Sequence, residues 1–171
     1  VAAFLLRARR EFLRDFGACM SPMNAFQIMQ GVETLGPRMQ RHIENTRSVV
    51  DFLNDHESVS QVIYPELADH PDQKLAAQIL PKGCGAVFTF ELKNGRQAGQ
   101  KFIEKLKIFS HLANVGDAKS LVIHPASTTH FRMSDEDLLA AGIHPGTVRL
   151  SIGLENIDDL LGDLKQALKS R

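Results

Sequence analysis

The sequence predicts a two-layer α/β sandwich, a sheet of about four strands covered by helices and preceded by long helices. Three observations predict it: apolar positions recur at helical spacing through residues 1–55, the period shifts to two from about residue 59, and the period-two stretches are then separated by amphipathic ones. Bulk composition agrees, since 171 residues with 43% hydrophobic and 23% charged side chains match an ordinary globular domain. A chain of this size buries about two-thirds of its unfolded surface, enough for one core.

The first amphipathic segment is marked by Phe4, Leu5, Leu6, Phe12 and Leu13 and is expected to stop at Gly17. The chain opens at Val1, already inside that helical stretch and without a methionine, so it is expected to be a fragment. Ser21 then reads as an N-cap before Pro22 at the first helical position, and Met23, Phe26, Met29, Val32 and Leu35 form one stripe. Gly36-Pro37 is expected to end or kink this helix, because proline lacks the amide donor and disfavours helical geometry in its predecessor. A third helical segment carries Met39, Ile43, Thr46, Val50 and Leu53 on one face, with Arg41, Glu44, Arg47 and Asp51 mostly elsewhere. Residues 1–55 are therefore expected to form a helical connector between domains, and residues 56–171 an α/β domain.

Within the second part, Ala86, Phe88, Phe90 and Leu92 alternate with Val87, Thr89 and Glu91, the pattern of a strand with one buried face. A helix near Gln97–Leu106 follows, then a strand apolar on both sides around Ile108–Ala113, and a strand Leu121–His124 that ends at Pro125. Ser134 and Asp137 are spaced as a capping box for a short helix that Gly142 can close. The last strand turns Val148, Leu150, Ile152 and Leu154 to one face and Thr147, Arg149, Ser151 and Gly153 to the other. Asn156 caps the final helix, Asp158 and Asp159 lie in its positive first turn, and Ile157, Leu160, Leu161, Leu164 and Leu168 are its buried stripe.

Charge and motif content narrow the function classes. Twenty basic residues balance twenty acidic ones, which leaves no net field for nucleic acid or anionic membrane. No apolar run approaches the ~20 residues of a bilayer span. Cys19 and Cys84 are far apart and lack metal-ligand spacing, so they read as small buried hydrophobes in a reducing, cytoplasmic compartment. No phosphate-binding glycine loop, nucleophile elbow or His-Glu-x-x-His motif is present.

Three places carry candidate chemistry. Arg149 stands on the strand face opposite four apolar residues, beside the small Ser151 and Gly153, and so has room for a ligand or for approaching backbone. Its planar fork matches a carboxylate in two-point fashion, although a solvated or ion-paired sheet arginine is the plainer reading of the strand alone. Asn114 and Gly116 suit a turn that exposes backbone amides, with or without a bound anion. His124-Pro125-Ala126-Ser127-Thr128-Thr129-His130 gathers polar groups after a strand, where loops often carry function. The two histidines lack a third ligand at metal-like spacing and read as hydrogen-bonded scaffold.

Taken together, these motifs resemble a known family. Asp15-Phe16-Gly17-Ala18, Ser21 to Phe26, Gly31 to Leu35 and Arg41 to Asn45 resemble the interdomain helices of the transsulfuration family of pyridoxal-phosphate enzymes. Leu80-Pro81-Lys82-Gly83, Phe109 to Leu121, His124 to His130 and Val148 to Glu155 most resemble its O-acetylhomoserine sulfhydrylase branch. The resemblance covers essentially the whole chain. It implies the small C-terminal domain of a fold type I enzyme, related in fold to aspartate aminotransferase. The implied reaction is γ-replacement of O-acetylhomoserine with sulfide; cystathionine γ-synthase and methionine γ-lyase types are the alternatives within the family. A non-catalytic α/β module for metabolite binding or assembly is the alternative outside it.

The same resemblance implies that Arg149 binds the substrate α-carboxylate, that Asn114 lies near that carboxylate and that Thr128 sits at the rim of the pocket. The Schiff-base lysine and the cofactor's phosphate site fall to an upstream domain, so no catalytic, cofactor-binding or metal residue is assigned here. Pyridoxal phosphate is expected in the full-length enzyme and not covalently on this chain. The implied partners are an amino-acid substrate, the upstream domain and further copies in a tetramer. Phe131-Arg132 and Pro37 depart from the family's usual residues at those positions.

Overall fold

The structure is a computed structural model that describes residues 2–169. It divides into two compact units, residues 1–37 and 38–171. The division falls before most of the third predicted helical segment, because the buried face of that segment belongs to the core of the second unit.

The first unit is helical. Helix α1 (Ala2–Arg7) runs through a π-helical stretch, Ala8–Leu13, into α2 (Arg14–Phe16). Gly17 ends the run in the left-handed region at φ 65°, its amide donating to Leu13 O, which a side chain bearing Cβ would resist. Ser21 Oγ accepts from Asn24 N at 3.1 Å and caps α3 (Pro22–Glu33), as expected from the Ser-Pro pair. The stripe of α3 is solvent-facing, with Met23, Phe26, Met29 and Val32 all exposed. The helix breaks at Thr34 instead of at Gly36-Pro37, and α4 (Leu35–Asn54) has already restarted when Pro37 arrives. The physical reason is positional: in a first turn the missing proline amide has no intrahelical partner to lose.

In the second unit α4 turns Ile43, Val49, Val50 and Leu53 inward, together with the polar His42, Asn45 and Thr46. Strand β1 (Val59–Ile63) follows, then α5 (Gln73–Ile79), a short helix that hydrophobic patterning did not reveal. Strand β2 (Val87–Leu92) leads into α6 (Gly95–Lys105). The expected strand at Ile108–Ala113 does not form. Asp163 takes the amides that a ladder would need: Lys107 N donates to both its oxygens at 3.0 Å and Ile108 N to Oδ2 at 2.8 Å. Only Phe109 of that stretch is buried among its apolar residues, and Ser110 keeps a single parallel bridge to Leu121.

Strand β3 (Leu121–Ile123), the capped helix α7 (Asp135–Ala140), β4 (Thr147–Ser151) and α8 (Ile157–Leu168) complete the unit. Ser134 and Asp137 form the expected reciprocal capping box, and Gly142 follows at φ 76°. Asn156 caps α8 by accepting from Asp158 N. The sheet is wholly antiparallel in the order β1-β2-β4-β3. Its core face, Phe88, Phe90, Leu92, Val148 and Leu150, packs with α4, α6 and α8 in one cluster. The opposite face, with Thr89, Ile123 and Arg149, is half-buried. Among the described residues no helix is long and apolar enough to cross a membrane.

A polar network ties the Leu80–Gly85 turn to β1 and α4. Glu66 accepts from Arg47 Nε at 2.6 Å, from Cys84 N at 2.8 Å and from Tyr64 Oη at 3.2 Å. Burial pushes the Glu66 carboxyl up, but the hydrogen bonds from Arg47, the Cys84 amide and Tyr64 outweigh it and hold the group below the usual carboxylate range. Burial also pushes the Cys84 thiol up, which makes it a poor nucleophile. A depressed carboxylate stabilises the fold above its unfolded-state value, and that stability is lost as pH falls through the lower folded-state value. Urea midpoints measured from neutral to acidic pH are therefore expected to fall for the wild type and to be flatter for Glu66→Gln; parallel curves refute the network's role.

Candidate functional site

Strand β4 lies between β2 and β3, so the backbone at Arg149 is laddered on both sides, opposite Thr89 and Ile123. That placement fixes its Cα as rigidly as a sheet allows, and the side-chain alternation directs the guanidinium to the face away from the helices. Arg149 is half-buried, and its Nη2 donates to the Asn114 carbonyl at 3.4 Å. Its other donors have no protein partner among the described residues. None of the ion pairs Arg7–Glu11, Arg14–Asp15, Arg47–Glu66 and Arg96–Asp135 includes it. A half-buried guanidinium with free donors and no carboxylate has the geometry to receive two acceptor oxygens.

The strand's exit is locked from two directions. His42 Nδ1–H donates to Ile152 O at 2.6 Å, and Asn45 Nδ2 donates to Gly153 O and Glu155 O, both at 3.0 Å. Glu155 accepts from Ser120 N at 2.7 Å and from Ser120 Oγ at 2.9 Å. The room predicted at Gly153 is filled by approaching backbone: a Cβ there would lie 2.5 Å from Ala118 O. The Ser151 hydroxyl is buried without a hydrogen-bond partner among the described residues.

Asn114 sits in the exposed turn that its sequence predicts. Its Oδ1 accepts from Val115 N at 2.9 Å, Gly116 has φ 73°, and Asp117 Oδ1 accepts from Lys119 N at 3.0 Å. Arg149 and Asn114 are thus brought together, 35 residues apart in the chain. Thr128 is exposed and donates to His124 O at 2.9 Å; no hydrogen bond joins it to Arg149 or Asn114 among the described residues.

The loop that bears Thr128 rests on a buried histidine. His124 Nε2–H donates to Pro145 O at 2.9 Å, which makes Nδ1 the acceptor for Ser127 Oγ–H at 2.8 Å. Burial, opposed by the bond to Pro145 and reinforced by the Arg96 charge, holds its pKa below the ordinary imidazole value. His124 is thus a buried histidine with both ring nitrogens hydrogen-bonded; no group of three His, Cys, Asp or Glu suited to a metal occurs among the described residues. Sequence reasoning did not find the Arg96, Glu66 or Asp163 networks.

Two cavities lie elsewhere. One of about 300 Å³ is lined by residues of α6, β2 and the end of α8, the other of about 290 Å³ by the Glu66 region, and neither is lined by Arg149, Asn114 or Thr128. The residues present do not fit a covalently bound pyridoxal phosphate. Each of the nine lysines is exposed, and none lies with Arg149 in an enclosed pocket.

The architecture, one antiparallel sheet whose core face packs against α4, α6 and α8 and whose other face carries an arginine with no ion pair among the described residues, is that of the small domain of fold type I pyridoxal-phosphate enzymes. The chain belongs to the Cys/Met metabolism PLP-dependent enzyme family, which it matches over residues 2–169. It is 51% identical over 169 residues to the O-acetyl-L-homoserine sulfhydrylase of Leptospira meyeri, covering 98% of this chain and 38% of that protein. Similarity to the L-methionine gamma-lyase of Fusobacterium nucleatum subsp. nucleatum is 44% over 158 residues, 92% of this chain and 40% of that protein. Among solved structures, a putative O-acetylhomoserine (thiol)-lyase from Campylobacter jejuni, with a pyridoxyl-lysine phosphate, matches at TM-score 0.86 and 43% identity, over 99% of this chain and 40% of that one. The chain spans about two-fifths of the length of these relatives.

Proposed function

We propose that this chain is the substrate-carboxylate domain of a pyridoxal-phosphate-dependent O-acetylhomoserine sulfhydrylase. In that reaction sulfide sulfur bonds to Cγ of O-acetylhomoserine, the Cγ–O bond breaks, and homocysteine and acetate result. The observation that carries the reading is the free fork of Arg149 on a doubly laddered strand. Arg149 holds the α-carboxylate in a two-point grip, which orients the Cα–H bond and lowers the entropy lost on reaching the reactive geometry. Asn114, whose carbonyl already accepts from Arg149, borders the same oxygens, and Thr128 forms the rim. The cofactor would be held by residues of the complete enzyme outside this chain and would supply an electron sink there. Residues 1–55 serve as the helical connector, which gives the exposed stripe of α3 a surface to cover. The complete enzyme acts in the cytoplasm as a tetramer.

The test is a product assay on the full-length enzyme with O-acetylhomoserine and sulfide against methionine alone. Homocysteine and acetate in equal amounts, dependent on sulfide, are expected. Ammonia and thiol from methionine at a comparable rate would replace this reading with the elimination chemistry named for the Fusobacterium relative.

A further inference from the structure

The loop that presents Thr128 has little regular structure of its own. Between β3 and α7 it makes one 3-10 turn, Pro125–Ser127, and then runs through turns to the Ser134 cap. The loop's own backbone bonds are short-range turn contacts, such as Ser127 N to His124 O, His130 N to Pro125 O and Met133 N to His130 O, so groups outside it are what tie the turns to the rest of the fold. His124 supplies one anchor at its start.

The second anchor reaches in from α6. Arg96 Nη1 donates to Ala126 O, Nη2 donates to Met133 O at 2.8 Å, and Nε donates to Asp135 Oδ1 at 2.8 Å. Nη2 also lies 2.7 Å from that carboxylate oxygen. All three nitrogens of one rigid fork are engaged, and the two carbonyls they grip bracket residues 127–132, including Thr128. The side chain is 28% exposed, sheltered enough for these charge-assisted bonds to matter. A lysine's point charge cannot reproduce a grip on three directions at once. Nothing in the fold's core needs this arginine: α6 is already fixed by Phe102 and Ile103, which belong to the hydrophobic cluster.

We propose that Arg96 is a positioning residue that pre-forms the Thr128 rim of the substrate pocket. The proposal rests on the reading that Thr128 borders the carboxylate site. Arg96 touches neither substrate nor cofactor; it acts by holding the segment from Ala126 to Met133 in its bound shape before substrate arrives. Without it, ordering that segment is added to the cost of binding, while the chemistry of the bound state is unaltered.

Steady-state kinetics of the full-length enzyme test this. Arg96→Ala is expected to raise KM for the amino-acid substrate about tenfold with kcat within about twofold, and to leave KM for sulfide unchanged. Free guanidinium ion at millimolar concentration is expected to lower the raised KM again, a rescue that a general loss of stability would not show. Arg96→Lys should fall between the two. Should Arg96→Ala not fold, Arg96→Lys decides by the same split: a raised KM with kcat kept supports the clamp. An unchanged KM in a folded variant, or a loss of kcat toward both substrates that guanidinium does not reverse, overturns it. Thr128→Ala and Arg149→Ala are measured alongside. If these raise KM and the Arg96 variants do not, the clamp fails while the pocket stands; if neither affects KM, both fail.

Discussion

Arg149→Ala in the full-length enzyme is expected to lower kcat/KM for the amino-acid substrate by about 10²–10³-fold, the size associated with deleting one partner of a sheltered, hydrogen-bonded charge pair. Arg149→Lys is expected to recover only part of this, because a single ammonium keeps the attraction and loses the two-point geometry. The fold gives the experiment its clarity. Arg149 makes one long hydrogen bond, 3.4 Å to Asn114 O, and no ion pair among the described residues. Its removal should therefore shift stability by no more than about 0.5 kcal/mol, as for a surface substitution that leaves no buried group unpaired. Activity and stability are read together, by steady-state kinetics and thermal unfolding. A large drop in melting temperature would mean that Arg149 is structural, and wild-type kinetics would remove it from the site.

The parts of the fold that were legible are those governed by local rules. Alternation at Phe88, Phe90 and Leu92 and at Val148 and Leu150 marks the two strands that pair as β2 and β4, because a sheet with one buried face leaves no other place for these side chains. Ser21, Ser134 with Asp137, and Asn156 all cap helices as read, since a short oxygen acceptor beside an orphan amide is decided within four residues. Where a rule competes with a distant group, it fails. Ile108–Ala113 is apolar enough for a strand, but Asp163, 55 residues further on, captures the amide of Ile108. The signal was present as a carboxylate set among the buried positions of α8, next to Leu164, which only an anchor explains. His42 and Asn45 on the inward face of α4 carry the same signal, and their acceptors at Ile152 and Gly153 lie more than 100 residues away.

For the candidate site, the strand face of Arg149 follows from alternation alone, whereas the choice of ligand came from the family resemblance. The pairing with Asn114 is a product of the crossover that sets β4 between β2 and β3, and no local rule reports it. Gly153 shows how a correct observation can have two causes. Its small size leaves room for ligand or backbone, and the 118–119 backbone occupies it. The proposed carboxylate site therefore does not extend over Gly153, where the 118–119 segment lies.

Gly99→Ala is the substitution expected to damage the fold most. In an exposed helix the change would add about 1 kcal/mol of stability, because alanine loses less backbone entropy than glycine. In α6 the new Cβ would lie 2.2 Å from His124 Nε2 and 2.4 Å from its Cδ2. The ring cannot swing clear cheaply: it is 0% exposed, and its two nitrogens are held by Pro145 O and Ser127 Oγ. Moving it breaks the Nε2–H bond and displaces the turn that leads to Thr128, so the clash is paid in core packing and in loop position together. The expected loss is about 3 kcal/mol or more, at the upper end of overpacking effects. For a domain of this size it lowers the melting temperature by about 6–12 °C. A second substitution separates the clash from any defect in the helix itself. His124→Ala alone should destabilise, by leaving Pro145 O unpaired and a ring-sized void. Combined with Gly99→Ala it should cost clearly less than the two singles added, because the methyl then occupies space the ring has vacated. Strict additivity would show that Gly99 is small for a reason other than the histidine beneath it.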